Sequence, residues 1–368
     1  MKFNNKNKKK VHFHIIGDLH LWDKNIRSHI NYIAECKFTL NKIKSHLKKA
    51  REDYPNDLHY LIFLGDIFHK GFNSEEQIFY GLYYQLFLEL RSLVDDMFAV
   101  VGNHELNFAK GNPFWTLISE LEEGLTFNTY YESFGLYPVI RVLKSIEINN
   151  SLIQFQHFNT TVDTNELFNN YKNKFLISHE IYMNQSLLSL IESELGENQK
   201  YKYIKYSTIT DDDPNISPYN ECFLGHIHSI IGDWRIRWSN NTTTGLHYLG
   251  SQIPVSKDEY LYTPAYRYIK DLMIEPNGDY VIRTDKYLIP PVEKTLRYNQ
   301  IKKSEISYQK TKEKKELFKK HKNIKFNGQD PIEVLTKEYS NDIEMLDVFQ
   351  KLETGIKPEI LQNRLRFY

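Results

Sequence analysis

Histidine and aspartate recur along this 368-residue chain in short clusters whose spacing suits metal ligation. The clusters are Gly17-Asp18-Leu19-His20, Gly65-Asp66-Ile67-Phe68-His69, Gly102-Asn103-His104-Glu105, Ser178-His179-Glu180 and Gly225-His226-Ile227-His228. Asp18 and His20 stand two apart, so both side chains reach one ion where the backbone turns. Asp66 is the candidate bridge, because a carboxylate that offers both oxygens can hold two ions close together. Asn103 offers a neutral carbonyl oxygen to a second ion. His104 beside it stays off the metal, placed to stabilise a transition state or protonate a leaving group. His226 and His228 are separated by one residue, so in extended backbone they face the same side and serve different ions. His179 completes the second ion's sphere. Two divalent ions about 3.5–4 Å apart neutralise phosphoryl oxygens and generate a nucleophile at once, the needs of phosphate ester hydrolysis. Aspartate and histidine ligands favour Mn²⁺, with Fe²⁺, Zn²⁺ or Mg²⁺ as further candidates.

Each cluster follows an apolar run of strand length. Val11 to Ile16 (VHFHII) precedes the first, His59 to Leu64 (HYLIFL) the second and Met97 to Val101 (MFAVV) the third. Lys174 to Ser178 (KFLIS) and Glu221 to Leu224 (ECFL) precede the last two. Between the first two strands, Ile26, Ile30, Ile33, Phe38, Leu40, Ile43 and Leu47 fall at roughly helical spacing, which makes a β-α-β unit. A further helix is expected between Glu75 and Val94. Open α/β sheets bind ligands at the carboxyl ends of their strands, so the five clusters should converge on one edge. Two strands joined by an Asn277-Gly278 turn are expected between Arg267 and Tyr287. The histidines inside the first strand, His12 and His14, read as core or surface residues.

Composition is that of a folded globular protein, with 41% hydrophobic and 26% charged residues. Formal net charge is zero, so an anionic substrate has to be met by local charge or bound metal. Cys36 and Cys222 are the two cysteines, set in a helical and a strand segment, which argues against a disulfide framework. No apolar run reaches about 18 residues, and the Lys-rich start lacks the apolar core of a secretory signal, so a cytoplasmic protein without membrane contact is expected. The expected organisation is a basic arm over 1–10, a catalytic domain over 11–290 and a basic, helical region over 291–368. From Lys302 to Asp330 the last of these carries ten Lys against four acids.

The order D-x-H, GD, GNH(E/D), H, GHxH resembles the calcineurin-like metallophosphoesterase superfamily over roughly Val11 to Gln252. The resemblance implies an α/β fold: a β-sandwich flanked by helices, here with a small C-terminal appendage. It also implies that Asp18, His20, Asp66 and His228 hold one metal, that Asp66, Asn103, His179 and His226 hold the other, and that His104 is the catalytic histidine. No ligand position is missing, which argues against a scaffold that has lost catalysis.

Within the superfamily two details resemble Mre11/SbcD-type nucleases, phage recombination nucleases included. His69 lies three residues after Asp66, where such enzymes carry a histidine that acts in exonuclease cleavage, and His247 to Pro254 (HYLGSQIP) is similar to a segment they carry there. The chain departs from that pattern in Glu105, where GNHD is usual, and in Trp22, where Gly is frequent. This resemblance implies DNA exo- or endonuclease activity in repair, recombination or replication, with DNA as substrate, a possible homodimer and a Rad50/SbcC-like ATPase as partner. The basic 302–325 tract is a candidate phosphate contact. An ATPase-docking helix is placed on the stripe Ile332, Leu335, Tyr339, Ile343, Leu346 and Phe349. GNHE is also the form found in serine/threonine phosphoprotein phosphatases, although these have D-R-G where this chain has His69-Lys70-Gly71 and lack GHxH. A small-molecule phosphodiesterase or a phosphatase is the alternative.

Overall fold

The computed structural model describes residues 9–22, 32–70, 83–107, 112–123, 125, 139–162, 170–183, 207–208, 216–228, 232–253 and 266–288. The chain divides into two units, Met1–Lys302 and Lys303–Tyr368, and every described residue belongs to the first. The expected ATPase-docking helix and the 302–325 tract therefore lie outside the described residues, as does most of the basic arm.

Fifteen strands are described: β1 (Val11–Ile16), β2 (Leu58–Phe63), β3 (Asp96–Ala99), β4 (Ile118–Leu121), β5 (Ile140–Val142), β6 (Ser145–Ile148), β7 (Ser151–Gln156) and β8 (Asn173–Ser178) come first. They are followed by β9 (Tyr182–Met183), β10 (Ser207–Thr208), β11 (Glu221–Leu224), β12 (Gly232–Arg237), β13 (Thr243–Tyr248), β14 (Tyr266–Ile274) and β15 (Tyr280–Leu288). Four helices accompany them: α1 (Tyr32–Asp53), α2 (Gln85–Leu93), α3 (Asn103–Asn107) and α4 (Phe114–Leu117).

One sheet runs β15-β14-β1-β2-β3-β5-β4 and the other β12-β13-β11-β8-β7-β6, with β9 and β10 paired separately. In the first, β1, β2 and β3 are parallel; in the second, β7, β8, β11 and β13 are parallel. The inner faces meet in a shared core. Val11, Phe13, Ile15, Ile62 and Phe98 of one sheet cluster with Ile153, Phe155, Phe175, Ile177 and Phe223 of the other. These residues alternate along their strands, as a face with a period of two demands. The opposite face of the first sheet packs under α1 and α2 through Leu61, Phe63, Met97 and Ala99. The resulting architecture is the α/β sandwich of two mixed sheets flanked by helices that the family resemblance implied.

Helix α1 forms where expected, but its buried face is Tyr32, Cys36, Leu40, Ile43 and Leu47. Ile33 and Phe38, placed on the apolar stripe from sequence, are only partly buried. The phase shifts because the layer beneath is not uniformly apolar: Glu35 and Thr39 are buried on the same helix. The hairpin expected near Asn277-Gly278 is β14–β15, where the Gly278 N–H donates to the Glu275 carbonyl at 2.9 Å. Gly278 has φ +87°, the left-handed conformation that a side chain disfavours. Cys36 and Cys222 are buried free thiols, and burial pushes Cys222 well above the ordinary thiol range. Among the described residues no helix is long and apolar enough to cross a membrane.

Phe98 faces Phe155 across the two sheets, with ring centroids 6.1 Å apart and no exposure. Phe98→Ala should therefore cost about 3–5 kcal/mol, read as a lower urea midpoint with unchanged m-value.

Candidate active site

The parallel strands put all five clusters at one edge, each just past a strand's carboxyl end. Three of the residues so placed adopt left-handed backbone, His20 at φ +52°, Asp66 at φ +46° and His226 at φ +68°. Non-glycine residues rarely hold such angles unless their surroundings fix them. Here the turns are tied to one another: the His20 N–H donates to the Asp66 carbonyl at 2.8 Å, and the His226 N–H donates to Asp18 Oδ2 at 2.9 Å. Glycines supply the close approach. A methyl group on Gly102 would lie 2.2 Å from Asp66 Oδ1, and one on Gly225 would lie 2.6 Å from Asp18 Oδ1.

Two ligand groups result. Asp18, His20, Asp66 and His228 form one set and Asp66, His179 and His226 the other, the ligand atoms of each lying within 4.8 Å of one another. Asp66 is common to both. Its Oδ1 accepts the His104 N–H at 2.8 Å, while Oδ2 is buried with no hydrogen-bond partner. Around Oδ2 stand His179 Nε2 at 3.4 Å, His20 Nε2 at 3.8 Å and His104 Nε2 at 4.0 Å. Asp18 Oδ1 is likewise buried and unpartnered. Buried carboxylate oxygens without donors are costly. Cations would relieve both, and the donor set of two carboxylates, four imidazoles and the Asn103 carbonyl fits two adjacent divalent ions.

Hydrogen bonds also fix which ring nitrogens face the cluster. His179 Nδ1 donates to the Leu64 carbonyl at 2.6 Å, which turns Nε2 toward Asp66 and toward Asn103 Oδ1 at 3.0 Å. His20 Nε2 and His228 Nε2 lie 2.7 Å apart beside Asp18 and Asp66. Electrostatics follow the same pattern. Burial pushes Asp18 up to about 7 and pushes His226 down to about 3, so neutral His226 is a ready ligand. Burial opposes charge on His179 as well, but Asp66 and Asp18 beside it push it up to about 10. A bound cation would take the place of that proton.

His104 is a different case. It belongs to neither of these two sets but brings a ring nitrogen within 4.8 Å of those of His20 and His69, a group without a carboxylate; its Nδ1 donates to the His69 carbonyl, and its side chain keeps 16% exposure. Nε2 is thereby presented toward Asp66 and the site mouth. His69 packs its ring 5.0 Å from that of His104 and 5.5 Å from that of His20. All nine residues singled out from sequence thus gather at one place.

Residues not singled out as functional hold this arrangement. Glu105 is completely buried and its carboxylate accepts the N–H groups of Asp66 at 2.8 Å, Gly102 at 2.9 Å and Phe68 at 3.3 Å. It clamps the second and third clusters together; in the sequence it registered only as a departure from GNHD. Ser251 and Gln252, just past β13, tie two of the loops together: the Gln252 N–H donates to the Asp18 carbonyl at 2.7 Å and the Ser251 N–H to the His228 carbonyl at 3.1 Å. Phe158 stacks on His226 with centroids 5.4 Å apart, and no sequence signal marked it.

Comparison with known proteins gives the family directly. Residues 11–285 match the profile of the calcineurin-like phosphoesterases, and the chain belongs to that family. No curated protein matches the chain. Among solved structures it is similar to a 5'-nucleotidase precursor from Thermus thermophilus, with 9% identity, TM-score 0.33 and coverage of 79% of this chain and 57% of that one. A phosphatase from Mycoplasma pneumoniae shares 10% identity at TM-score 0.37, covering 80% of this chain and 99% of that one. A 5'-nucleotidase from Candida albicans shares 11% identity at TM-score 0.36, covering 83% of this chain and 58% of that one. The chain thus spans little more than half the length of these two nucleotidases.

Glu105→Gln keeps the volume but sets an amide N–H₂ against backbone donors. Metal affinity should fall about 10–100-fold with the fold intact, measured by competition with a chelating dye alongside circular dichroism. Because the cluster holds a proton on His179 that a cation must displace, affinity of the parent chain should also drop between pH 8 and pH 6 in the same titration.

Proposed function

We propose that this calcineurin-like phosphoesterase hydrolyses phosphate esters at a dinuclear metal centre, with phosphatase or small-molecule phosphodiesterase activity as the first reading. The observation that carries the proposal is Asp66, whose unpartnered Oδ2 lies at the junction of the two ligand sets. Asp18, His20, Asp66 and His228 would hold one ion, and Asp66, Asn103, His179 and His226 the other. Ions bound there would supply Lewis acidity to the phosphoryl oxygens and to water. The chain's own residues do the rest. His104 offers Nε2 to the leaving oxygen, its tautomer set by the Nδ1–H bond to the His69 carbonyl. Glu105 holds the backbone that carries Asp66, and Gln252 holds the Asp18 loop. The ligand set acts on the phosphoryl group itself and imposes no requirement on the rest of the substrate.

A second reading, a DNA nuclease of Mre11/SbcD type, is favoured by His69. Its ring lies against both His104 and His20, and Trp22 flanks it at 5.2 Å. DNA as substrate, an ATPase partner and a homodimer belong to this reading.

One panel separates them. Protein loaded with Mn²⁺ is assayed on p-nitrophenyl phosphate, bis-p-nitrophenyl phosphate, nucleoside 5'-monophosphates and linear duplex DNA. Turnover of the small esters with intact DNA supports the first reading, shortening of duplex ends the second, and no turnover on any of them overturns the proposal. His104→Ala should lower turnover about 10²–10⁴-fold with metal content unchanged, whereas Asp66→Ala should lose activity and the active-site metal together. If His69 serves DNA, His69→Ser slows cleavage of duplex ends and spares p-nitrophenyl phosphate. Equal loss on both substrates makes it a general residue of the site.

A further inference from the structure

A second group of metal-ligating side chains lies away from the active site, on the far part of the same strand. His14 of β1, His46 of α1 and Asp271 of β14 bring one ligand atom each to a common point in the layer between helix and sheet. His14 stands four residues before Asp18, roughly 13 Å along an extended strand. Its Nδ1 lies 2.6 Å from Asp271 Oδ1, His46 Nε2 lies 3.0 Å from the same oxygen, and the two nitrogens are 3.2 Å apart. Zinc bonds of about 2.0–2.2 Å in a tetrahedron would set such atoms roughly 3.4 Å apart, so the three need to part by roughly 0.2 to 0.8 Å, most of it between His14 and Asp271.

Ring protons decide what belongs at that point. Each neutral imidazole has one N–H and one lone pair. His46 Nδ1 faces Asp285 Oδ2 at 2.9 Å, so its proton is there and Nε2 is a lone pair. His59 Nε2 faces the Tyr54 carbonyl at 2.9 Å, so its proton is there and Nδ1 is a lone pair. That lone pair lies 3.1 Å from His14 Nε2, which must therefore carry the His14 proton and leave Nδ1 bare. With every imidazole neutral, two lone pairs and a carboxylate oxygen are left pointing at one another. Protonating both rings would set two N–H groups head to head and would charge His14, which burial pushes below the ordinary histidine range. Burial opposes charge on His46 too, but Asp271 and Asp285 raise it above that range, so a proton on its Nε2 holds the point that a divalent ion would take over.

We propose that His14, His46 and Asp271 form a third, structural site for a divalent transition metal of the zinc class. Asp285 and His59 fix the ligand tautomers, as carboxylates and carbonyls do behind metal-bound histidines. The ion would pin α1 to β1 and to the β14–β15 hairpin, three elements far apart in the chain. Water completes the coordination, and the site has no reacting group beside it.

Full-length protein is stripped with chelator, reloaded with Zn²⁺ alone and desalted, and its metal content is measured. Asp66→Ala, which disables the active-site cluster, should retain about one equivalent, and Asp66→Ala combined with His46→Gln should retain none. Cobalt in the Asp66→Ala protein should give the strong visible absorption of a tetrahedral site, absent from the double variant. Asp285→Ala, a change at a largely exposed side chain, keeps the chain testable if His46→Gln fails to fold, and should weaken zinc binding about 10–100-fold. A folded Asp66→Ala protein without zinc, equal zinc in the single and double variants, or unchanged affinity in Asp285→Ala each overturns the site. Zinc left on the active site of Asp66→Ala would add equally to the single and double variants, so the site is read from the difference between them and from Asp285→Ala, and a failure of the proposed function shows separately as unchanged active-site metal.

Discussion

Two carboxylates buried side by side are what the rest of the molecule is built around. Asp18 is fully buried and Asp66 is 1% exposed, each with one oxygen that no donor meets. Burial alone would favour their neutral forms. Burial does push Asp18 up, yet His179, His20 and His104 around Asp66 outweigh its own burial and hold it well below the usual carboxylate range. Such a pair is stable only with compensating positive charge, and the imidazoles that surround it are both the partial compensation and the ligands for more. Arrangements of this kind are uncommon as devices for stability, since an apolar core would cost less. Their persistence here is an argument for chemistry.

The fold supplies the positions. Parallel neighbours β1, β2 and β3, with β8 and β11 opposite, end at the same edge, so each loop delivers its polar residues to the same place. Delivery is not enough, because five independent loops would fray. Left-handed turns at His20, Asp66 and His226 are held by hydrogen bonds running from loop to loop, and Glu105 closes the set by gathering three backbone N–H groups. Strain at single residues is sustained by a network that none of the loops could form alone.

This division explains what the sequence disclosed. That Asp18, His20, Asp66, Asn103, His104, His179, His226 and His228 gather at one edge was legible because each sits within a few residues of a strand end. The strands were legible as apolar runs, and the hairpin as Asn277-Gly278. What escaped was long-range. Glu105 reads as one acid beside a motif until its oxygens are seen against Asp66 and Phe68, about 40 residues earlier in the chain. His14, His46 and Asp271 are separated by 32 and 225 residues, and no local pattern joins them. On α1 the apolar spacing located Leu40, Ile43 and Leu47 on the buried face but not Ile33 and Phe38, with Ile26 and Ile30 outside the described residues; spacing alone cannot show that the helix also sets His46 against His14.

Histidine clusters in this chain are therefore best sorted by where the ring protons go. His247 is the instructive contrast. Its Nδ1 meets Asp233 at 2.7 Å and its Nε2 meets Glu221 at 2.9 Å, one carboxylate for each nitrogen. Burial works against its charge, but the two acids raise it above the ordinary range, and Lys270 and Arg235 complete the neutralisation of those acids. Every polar atom there is satisfied by protons, and no lone pair is left over for a cation. At His14 and His46, by contrast, two imidazoles converge on one oxygen of Asp271; burial opposes charge on His46, Asp271 and Asp285 raise it, and a bound cation would take the place of its inner proton. At His179, the bond to the Leu64 carbonyl turns Nε2 toward Asp66, where it holds a proton that a bound cation would displace. Residue type is identical in all three places; what separates them is whether the inner nitrogen faces an acid already matched by another cation, as Glu221 is by Arg235, or a carboxylate oxygen shared with a second imidazole, as on Asp271 and Asp66.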